Sequence, residues 1–246
     1  MNVVCVFAHQ DDEMRCAGTL LRLREAGHAL ALVCVTLGDK GLAFDTAVGY
    51  DAATEIRDRE IRSVAASLGA SYRCLGREDG FLADDAALRH DLITTLRELR
   101  ADLVFTHWTS DYNDDHVVTA KAVTDAALFT TIASIRPDVP ALERVPGIFH
   151  THPGEGYGFE ATHFVQLSAD HHAEKTRLIR LHRSQMDVMR RMRGHDYADE
   201  MAAEDRRQGG RLMVEYAEAF RPCLAERRVP WPTSLPGPLT CEEAGL

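Results

Sequence analysis

Short apolar runs alternate with longer amphipathic ones along the first half of the chain. Residues 2–8 (NVVCVFA) are β-branched and continuously apolar, the pattern of a strand covered on both faces. Residues 17–27 then carry leucines at helical spacing and stop on a glycine. The alternation repeats as a buried strand over 29–38, an amphipathic helix over 52–69, a short strand at 71–76 and a helix over 83–100. That last helix opens acidic and closes basic, which suits its dipole. A fourth strand over 101–107 and a helix over 114–128 follow. Strands alternating with helices require right-handed crossovers, hence a largely parallel sheet with helices on both faces. The predicted class is α/β: a Rossmann-like, three-layer, doubly wound fold with a mostly parallel sheet.

The second half is less regular. Residues 162–168 read as a strand and 169–193 as one long basic helix, while "HTH" at 150–152 alternates as in a strand and receives no role. Four prolines fall within 229–239, which predicts an extended tail over the surface. With no repeat and no linker, residues 1–246 are expected to form one domain, its proline-rich tail beginning near 229.

Charge and cysteine usage narrow the partners. A formal net charge of -10 argues against a phosphate-backbone binder, so no nucleic-acid partner is expected. Any anionic substrate would need local basic residues. No apolar run is long enough to span a bilayer, and the N-terminal stretch lacks the basic region and cleavage site of a signal peptide. Six cysteines are scattered without a C-x-x-C pair, which favours a reducing cytoplasm and disfavours a thiolate zinc cluster. Oligomeric state stays open, a homo-oligomer being compatible.

In a doubly wound sheet, sites gather outside the carboxyl ends of the strands. His9, Asp11, Asp12 and Glu13 lie just past the first predicted strand, and "HWTSDYNDDH" (107–116) just past the fourth. His9, Asp12 and His116 make a suitable three-ligand set for zinc, with a position left for water. Nitrogen-rich ligation favours zinc or another late first-row divalent ion over magnesium or calcium. Such an ion brings the pKa of its water to about 7, and a neighbouring carboxylate, here Asp11, can take that proton. The cation also offsets the mutual repulsion of the acids. The plainer reading is that Asp12 or Glu13 caps the helix near Ala17, and Asp114 or Asp115 the helix after the fourth strand. Two such clusters after parallel strands favour the metal. His107, His150, His152, His171 and His172 read individually as core or surface histidines.

These residues resemble the PIG-L/LmbE-like zinc-dependent de-N-acetylases. The family's opening motif, A-H-P-D-D-E with a small-residue helix start, corresponds to Ala8 through Glu13 followed by "AGTL". Its second motif, ending Asp-His, corresponds to Asp115 and His116. Residues 56–69, "LGREDGFL", "KTRLIRLHRSQ" and "VEYAEAFR" extend the resemblance along most of the chain. It implies zinc on His9, Asp12 and His116, with Asp11 as general base and water attacking an acetamide. It also implies substrate contact by Arg57, whose plainer role is pairing with Glu60, and offers Asp79 for sugar hydroxyls. Two departures stand out: Gln10 replaces the motif proline, and Asn113 replaces a histidine three residues before the last ligand. Oxyanion stabilisation then rests on the metal, Asn113 and His182 or His107.

The expected function is removal of an N-acetyl or similar small acyl group from an amino-sugar-containing small molecule. A metal-dependent phosphoesterase and a sugar-binding module with a structural metal are the alternatives. The segments 38–51, 108–115 and 150–162 are expected to shape the choice of substrate.

Overall fold

The computed structural model describes residues 1–45, 47–154, 156–225, 228–230 and 241–243; most of the proline-rich tail lies outside the described residues. Eight strands, β1 (Asn2–Phe7), β2 (Ala29–Thr36), β3 (Ser71–Arg77), β4 (Leu103–Thr106), β5 (Gly147–Thr151), β6 (His163–Leu167), β7 (Tyr216–Pro222) and β8 (Cys241–Glu243), form one sheet. Their order is β3-β2-β1-β4-β5-β7-β6-β8. The half from β3 to β5 is parallel throughout. The other half is antiparallel, because β7 inserts between β5 and β6, and β8 runs against β6.

Among the described residues seven α-helices cover the sheet: α1 (Ala17–Glu25), α2 (Tyr50–Leu68), α3 (Ala86–Glu98), α4 (Asp114–Phe129), α5 (Ala169–Ile179), α6 (Arg183–Arg193) and α7 (Tyr197–Arg211). Alternate residues of β1 face opposite layers, as strand geometry requires. Val3, Cys5 and Phe7 pack with Leu20 of α1, Ile61 of α2 and Leu178 of α5. Val4 and Val6 pack with Leu92 of α3 and Val123 of α4. The three layers are those expected from the apolar runs.

The long basic helix expected over 169–193 is instead two helices, α5 and α6, separated at Arg180–His182. The His182 ring is fully buried, and its Nε2 lies 2.7 Å from Glu13 Oε1. The break turns this ring inward at the start of α6. No described helix is long and apolar enough to cross a membrane.

Strand order positions the site. From β1 the chain winds outward through β2 to β3, then returns to place β4 on the opposite side of β1. The ends of β1 and β4 therefore flank a topological switch point, where adjacent connections diverge and leave a crevice.

A buried ionic network holds α1 behind that crevice. Glu218 on β7 accepts hydrogen bonds from the Gly18 and Thr19 backbone N–H groups, at 2.9 and 2.7 Å. These are among the free donors of the helix's first turn. Lys175 Nζ donates to Glu218 and to Asp205, each at 2.7 Å. Gly18 packs closely here: a Cβ there would stand 2.5 Å from the end of the Leu167 side chain, which would have to shift. Removing the ammonium would leave two carboxylates buried without their cation. The Lys175→Met variant is therefore expected to lose about 3–5 kcal/mol of stability in urea unfolding; a loss below about 1 kcal/mol would contradict the network's role.

Candidate metal centre

The bend after β1 is tied down at almost every backbone polar group. The Ala8 carbonyl accepts from the Thr36 N–H and hydroxyl, each at 2.9 Å, and the Gln10 carbonyl accepts from Arg57 Nη2 at 2.6 Å. The Ala8 N–H donates to His107 Nε2 at 2.9 Å, and the His9 N–H to Asp12 Oδ2 at 2.8 Å. Gln10, standing where the family motif has proline, donates its side-chain amide to the Thr36 carbonyl at 2.9 Å. A hydrogen bond thus ties the bend to the end of β2. Asp11 carries φ 156 and ψ -12, a conformation that costs a non-glycine residue about 1–3 kcal/mol and persists only where its surroundings enforce it.

Two imidazole nitrogens and a carboxylate converge there. His9 Nδ1 and His116 Nε2 are 3.2 Å apart; His9 Nδ1 lies 3.3 Å from Asp12 Oδ2, and His116 Nε2 lies 3.3 Å from Asp12 Oδ1. Tetrahedral zinc bonded at about 2.0–2.1 Å separates its ligand atoms by about 3.3–3.4 Å. The donor triangle formed by the three side chains is close to that size.

The far nitrogen of each ring faces a carboxylate. His9 Nε2 lies 3.0 Å from Asp79 Oδ1 and 3.2 Å from Asp115 Oδ2, and His116 Nδ1 lies 3.0 Å from Asp111 Oδ1. A carboxylate that accepts from the far N–H fixes the ring's tautomer and leaves the other nitrogen's lone pair for a metal. Without a cation, two lone pairs and a carboxylate would point at one another. The acids then draw protons onto the rings instead. Burial opposes this, yet Asp115, Asp12 and Asp79 raise His9 well above its ordinary range. Burial likewise opposes it at His116, where Asp12 and Asp111 prevail and hold the ring up to about 9. Asp12 goes the other way: burial pushes it up, but His116 and His107 hold it well below the usual carboxylate range. The donor set fits zinc or a similar late first-row ion.

His107, read from sequence as a core or surface histidine and as one candidate for oxyanion stabilisation, lies against the donor set. Its ring stacks on His116 at 3.9 Å with a 7° interplanar angle, and burial, together with His116, lowers it to about 4. Two further donor groups, His107–Asp111–His116 and His9–Asp79–Asp115, surround the triangle. Each shares a histidine with it, so filling both a second group and the triangle would require one imidazole to bridge two cations.

The other expected site residues occupy distinct positions. Arg57 reaches across to Asp11 Oδ1 at 3.0 Å and is 3% exposed. Glu60, its alternative partner, instead accepts from the N–H and hydroxyl of Ser184. Burial lifts the Asp11 carboxyl above its ordinary value, with Arg57 opposing. Asn113, not Asp114 or Asp115, caps α4, its Oδ1 accepting from the Asp115 N–H at 2.9 Å. The Asp115 carboxylate accepts instead from the N–H groups of Gly80 and Leu82. Nor does Asp12 or Glu13 cap α1, whose N-cap Cys16 makes no side-chain cap bond. His182 stays on Glu13, outside the donor triangle.

Fold and site together define an α/β protein with a two-histidine, one-carboxylate donor set, fit to hold a metal, at the carboxyl edge of its sheet. The chain belongs to the PIG-L family, described as GlcNAc-PI de-N-acetylase, whose profile matches residues 4–127. It is 31% identical over 132 residues to a probable N-acetyl-alpha-D-glucosaminyl L-malate deacetylase 2 of Bacillus anthracis, covering 51% of this chain and 58% of that relative. The match thus spans little more than half the relative's length. Among solved structures, an N,N'-diacetylchitobiose deacetylase from Pyrococcus horikoshii superposes with TM-score 0.78 at 23% identity, covering 90% of this chain and 83% of that one. A 4-carboxy-2-hydroxymuconate hydratase from Pseudomonas putida also gives 0.78, at 19% identity, covering 91% and 97%. These two likenesses show the fold. Because they join a deacetylase and a hydratase, the chemistry must be argued from the site.

Metal affinity should depend on the carboxylates behind the ligands. Asp111→Asn is expected to lower zinc affinity about 10–100-fold in chelator competition, and unchanged affinity would remove Asp111 from the centre. Because metal must displace protons from His9 and His116, loading is expected to release protons and to weaken as the pH falls below about 9. Calorimetry in buffers of differing ionisation enthalpy measures that release, and a pH-independent affinity would contradict the assignment.

Proposed function

We propose that the chain is a metal-dependent N-deacetylase, using zinc or another late first-row divalent ion. Its substrate is an amino-sugar-containing small molecule, from which it removes an N-acetyl or similar small acyl group. The observation that carries this reading is the His9, Asp12 and His116 triangle with Asp11 beside it in sequence. The family description and both named deacetylases support the N-acetylamino-sugar class.

Zinc held by His9, Asp12 and His116 would supply Lewis acidity at neutral pH. Asp11 takes a proton from the attacking water and returns it to the leaving nitrogen, so that acetate and a free amine are the products. Arg57 holds the Asp11 carboxylate and the Gln10 carbonyl, which fixes the base in its strained conformation. Asp79, 3.0 Å from His9, orients that ring. Burial of Arg57 and Asp79 supports positioning roles for both rather than contact with sugar hydroxyls. Asn113 can donate from its carboxamide nitrogen to the developing oxyanion. His182, wholly buried against Glu13, positions the turn that carries Asp12. Five free cysteines among the described residues, four of them buried, support a reducing, cytoplasmic setting.

Acetate release from a panel of N-acetylglucosamine conjugates tests the reading. Zinc-loaded protein is expected to release acetate from at least one of them. Asp11→Asn is expected to retain one zinc per chain and lose about 10²–10⁴-fold in turnover. No release from any conjugate would refute the hydrolase reading. Ligand binding that survives in Asp11→Asn, with no turnover in the wild type, would favour a binding module. Two metals per chain would favour a phosphoesterase.

A further inference from the structure

Beside the metal centre lies a cavity of about 400 Å³, within the usual range of small-molecule sites of about 300–1,000 Å³. Its walls include Tyr112, Tyr157, Arg193, Glu204 and Arg207, with Arg15 among them. Two features join it to the donor triangle. The Tyr112 ring stands edge-on to His116 at 5.4 Å, and Arg15 closes the short 3-10 helix Asp12–Arg15 that begins with a proposed ligand.

Among the described residues, the arginines lining this cavity outnumber the carboxylates paired with them. Arg193 Nη1 donates to both Glu200 oxygens, at 2.8 and 2.9 Å, and Arg207 donates to Glu204. Arg15 is different. Among the described residues it makes no hydrogen bond, ion pair or cation–π contact, although Tyr197, Tyr112, Glu204 and Asp12 exert a field on it. Every other guanidinium within reach of the cavity is committed to a carboxylate. A half-buried arginine with an unused fork of donors, next to a reaction centre, is suited to bind a planar or tetrahedral oxyanion through two hydrogen bonds. The chain as a whole carries -10, so binding of an anionic substrate calls for a local cation.

We propose that Arg15 anchors an oxyanion, a carboxylate or phosphate, on the aglycone of the substrate, and so makes this site selective for anionic amino-sugar conjugates. The proposal rests on the deacetylase reading for its substrate class, but its test does not require turnover. Calorimetry on zinc-loaded Asp11→Asn protein compares three ligands: methyl N-acetylglucosaminide, the glycolic acid glycoside of N-acetylglucosamine, and N-acetylglucosamine 1-phosphate.

At least one oxyanion-bearing ligand is expected to bind tenfold or more tightly than the methyl glycoside, and the tighter of the two identifies carboxylate or phosphate as the source. Added salt should shrink that preference. Arg15→Gln, made in the same background, should bring the ratio of affinities to about one. Arg15→Lys should retain part of it, since an ammonium supplies charge without the fork. The wild-type Arg15 ratio and its salt dependence stand without any substitution at that position. Equal affinities, binding of none of the three, or a preference that survives Arg15→Gln would each overturn the proposal. A preference for the oxyanion without acetate release from wild type would instead refute the hydrolase reading and leave Arg15's role standing.

Discussion

Six carboxylates, those of Asp11, Asp12, Glu13, Asp79, Asp111 and Asp115, surround His9 and His116 at the carboxyl edge of the sheet, and most are largely shielded from water. Like charges held this close in a poorly solvated place repel strongly unless cations or donated hydrogen bonds offset them. Each acid has its own answer. Asp11 has Arg57, Glu13 has His182, and Asp115 has two backbone N–H groups. Asp79 and Asp111 face the outer nitrogens of the ligand histidines. Asp12 faces the inner nitrogens of both rings, and a divalent ion there would neutralise its charge.

The remaining architecture serves to keep that arrangement rigid. The switch point brings the ends of β1 and β4 side by side, so two loops distant in sequence supply the ligands. Three residues at the start of α6 pin separate parts of the surroundings: His182 on Glu13, Ser184 on Glu60, and Gln185 on the Gly41 carbonyl. Gly41 lies so close to Arg57 that a Cβ there would meet its guanidinium at 2.4 Å. The absence of a side chain at Gly41 therefore leaves the space that the Arg57 guanidinium occupies. On the far side, Glu218 and Lys175 hold the first turn of α1, which follows directly from the ligand-bearing turn.

Most of the parallel half of the fold was legible because β1, β2 and β4 are continuous apolar runs separated by amphipathic helices; β3 is mixed and only part-buried, and β5 showed only as the alternation at 150–152. The same regularity put both polar clusters on one edge and singled out His9, Asp12 and His116. The insertion of β7 between β5 and β6 was not legible, since nothing local in "YAEAFRP" specifies which neighbours it pairs with. Nor was the break at His182, because the residues around it have ordinary helical propensity and only the distant Glu13 requires the turn. Asp111, Asp115 and His107 lay inside the recognised cluster, yet their places behind the ligands depend on ring orientations that appear only in three dimensions. Asn113 illustrates the limit of local reading: Asp114 and Asp115 were the candidate caps, yet the residue before them caps α4, while Asp115 turns to the Gly80 and Leu82 N–H groups.

The central claim is that one cation organises this crowd of acids, and its position can be located directly. Anomalous diffraction at the zinc absorption edge, on crystals of the zinc-loaded protein, should give a single peak within about 2.0–2.2 Å of His9 Nδ1, an Asp12 oxygen and His116 Nε2. A peak centred on His107, Asp111 and His116, or on His9, Asp79 and Asp115, would contradict it. So would zinc-soaked crystals showing no peak at this edge of the sheet.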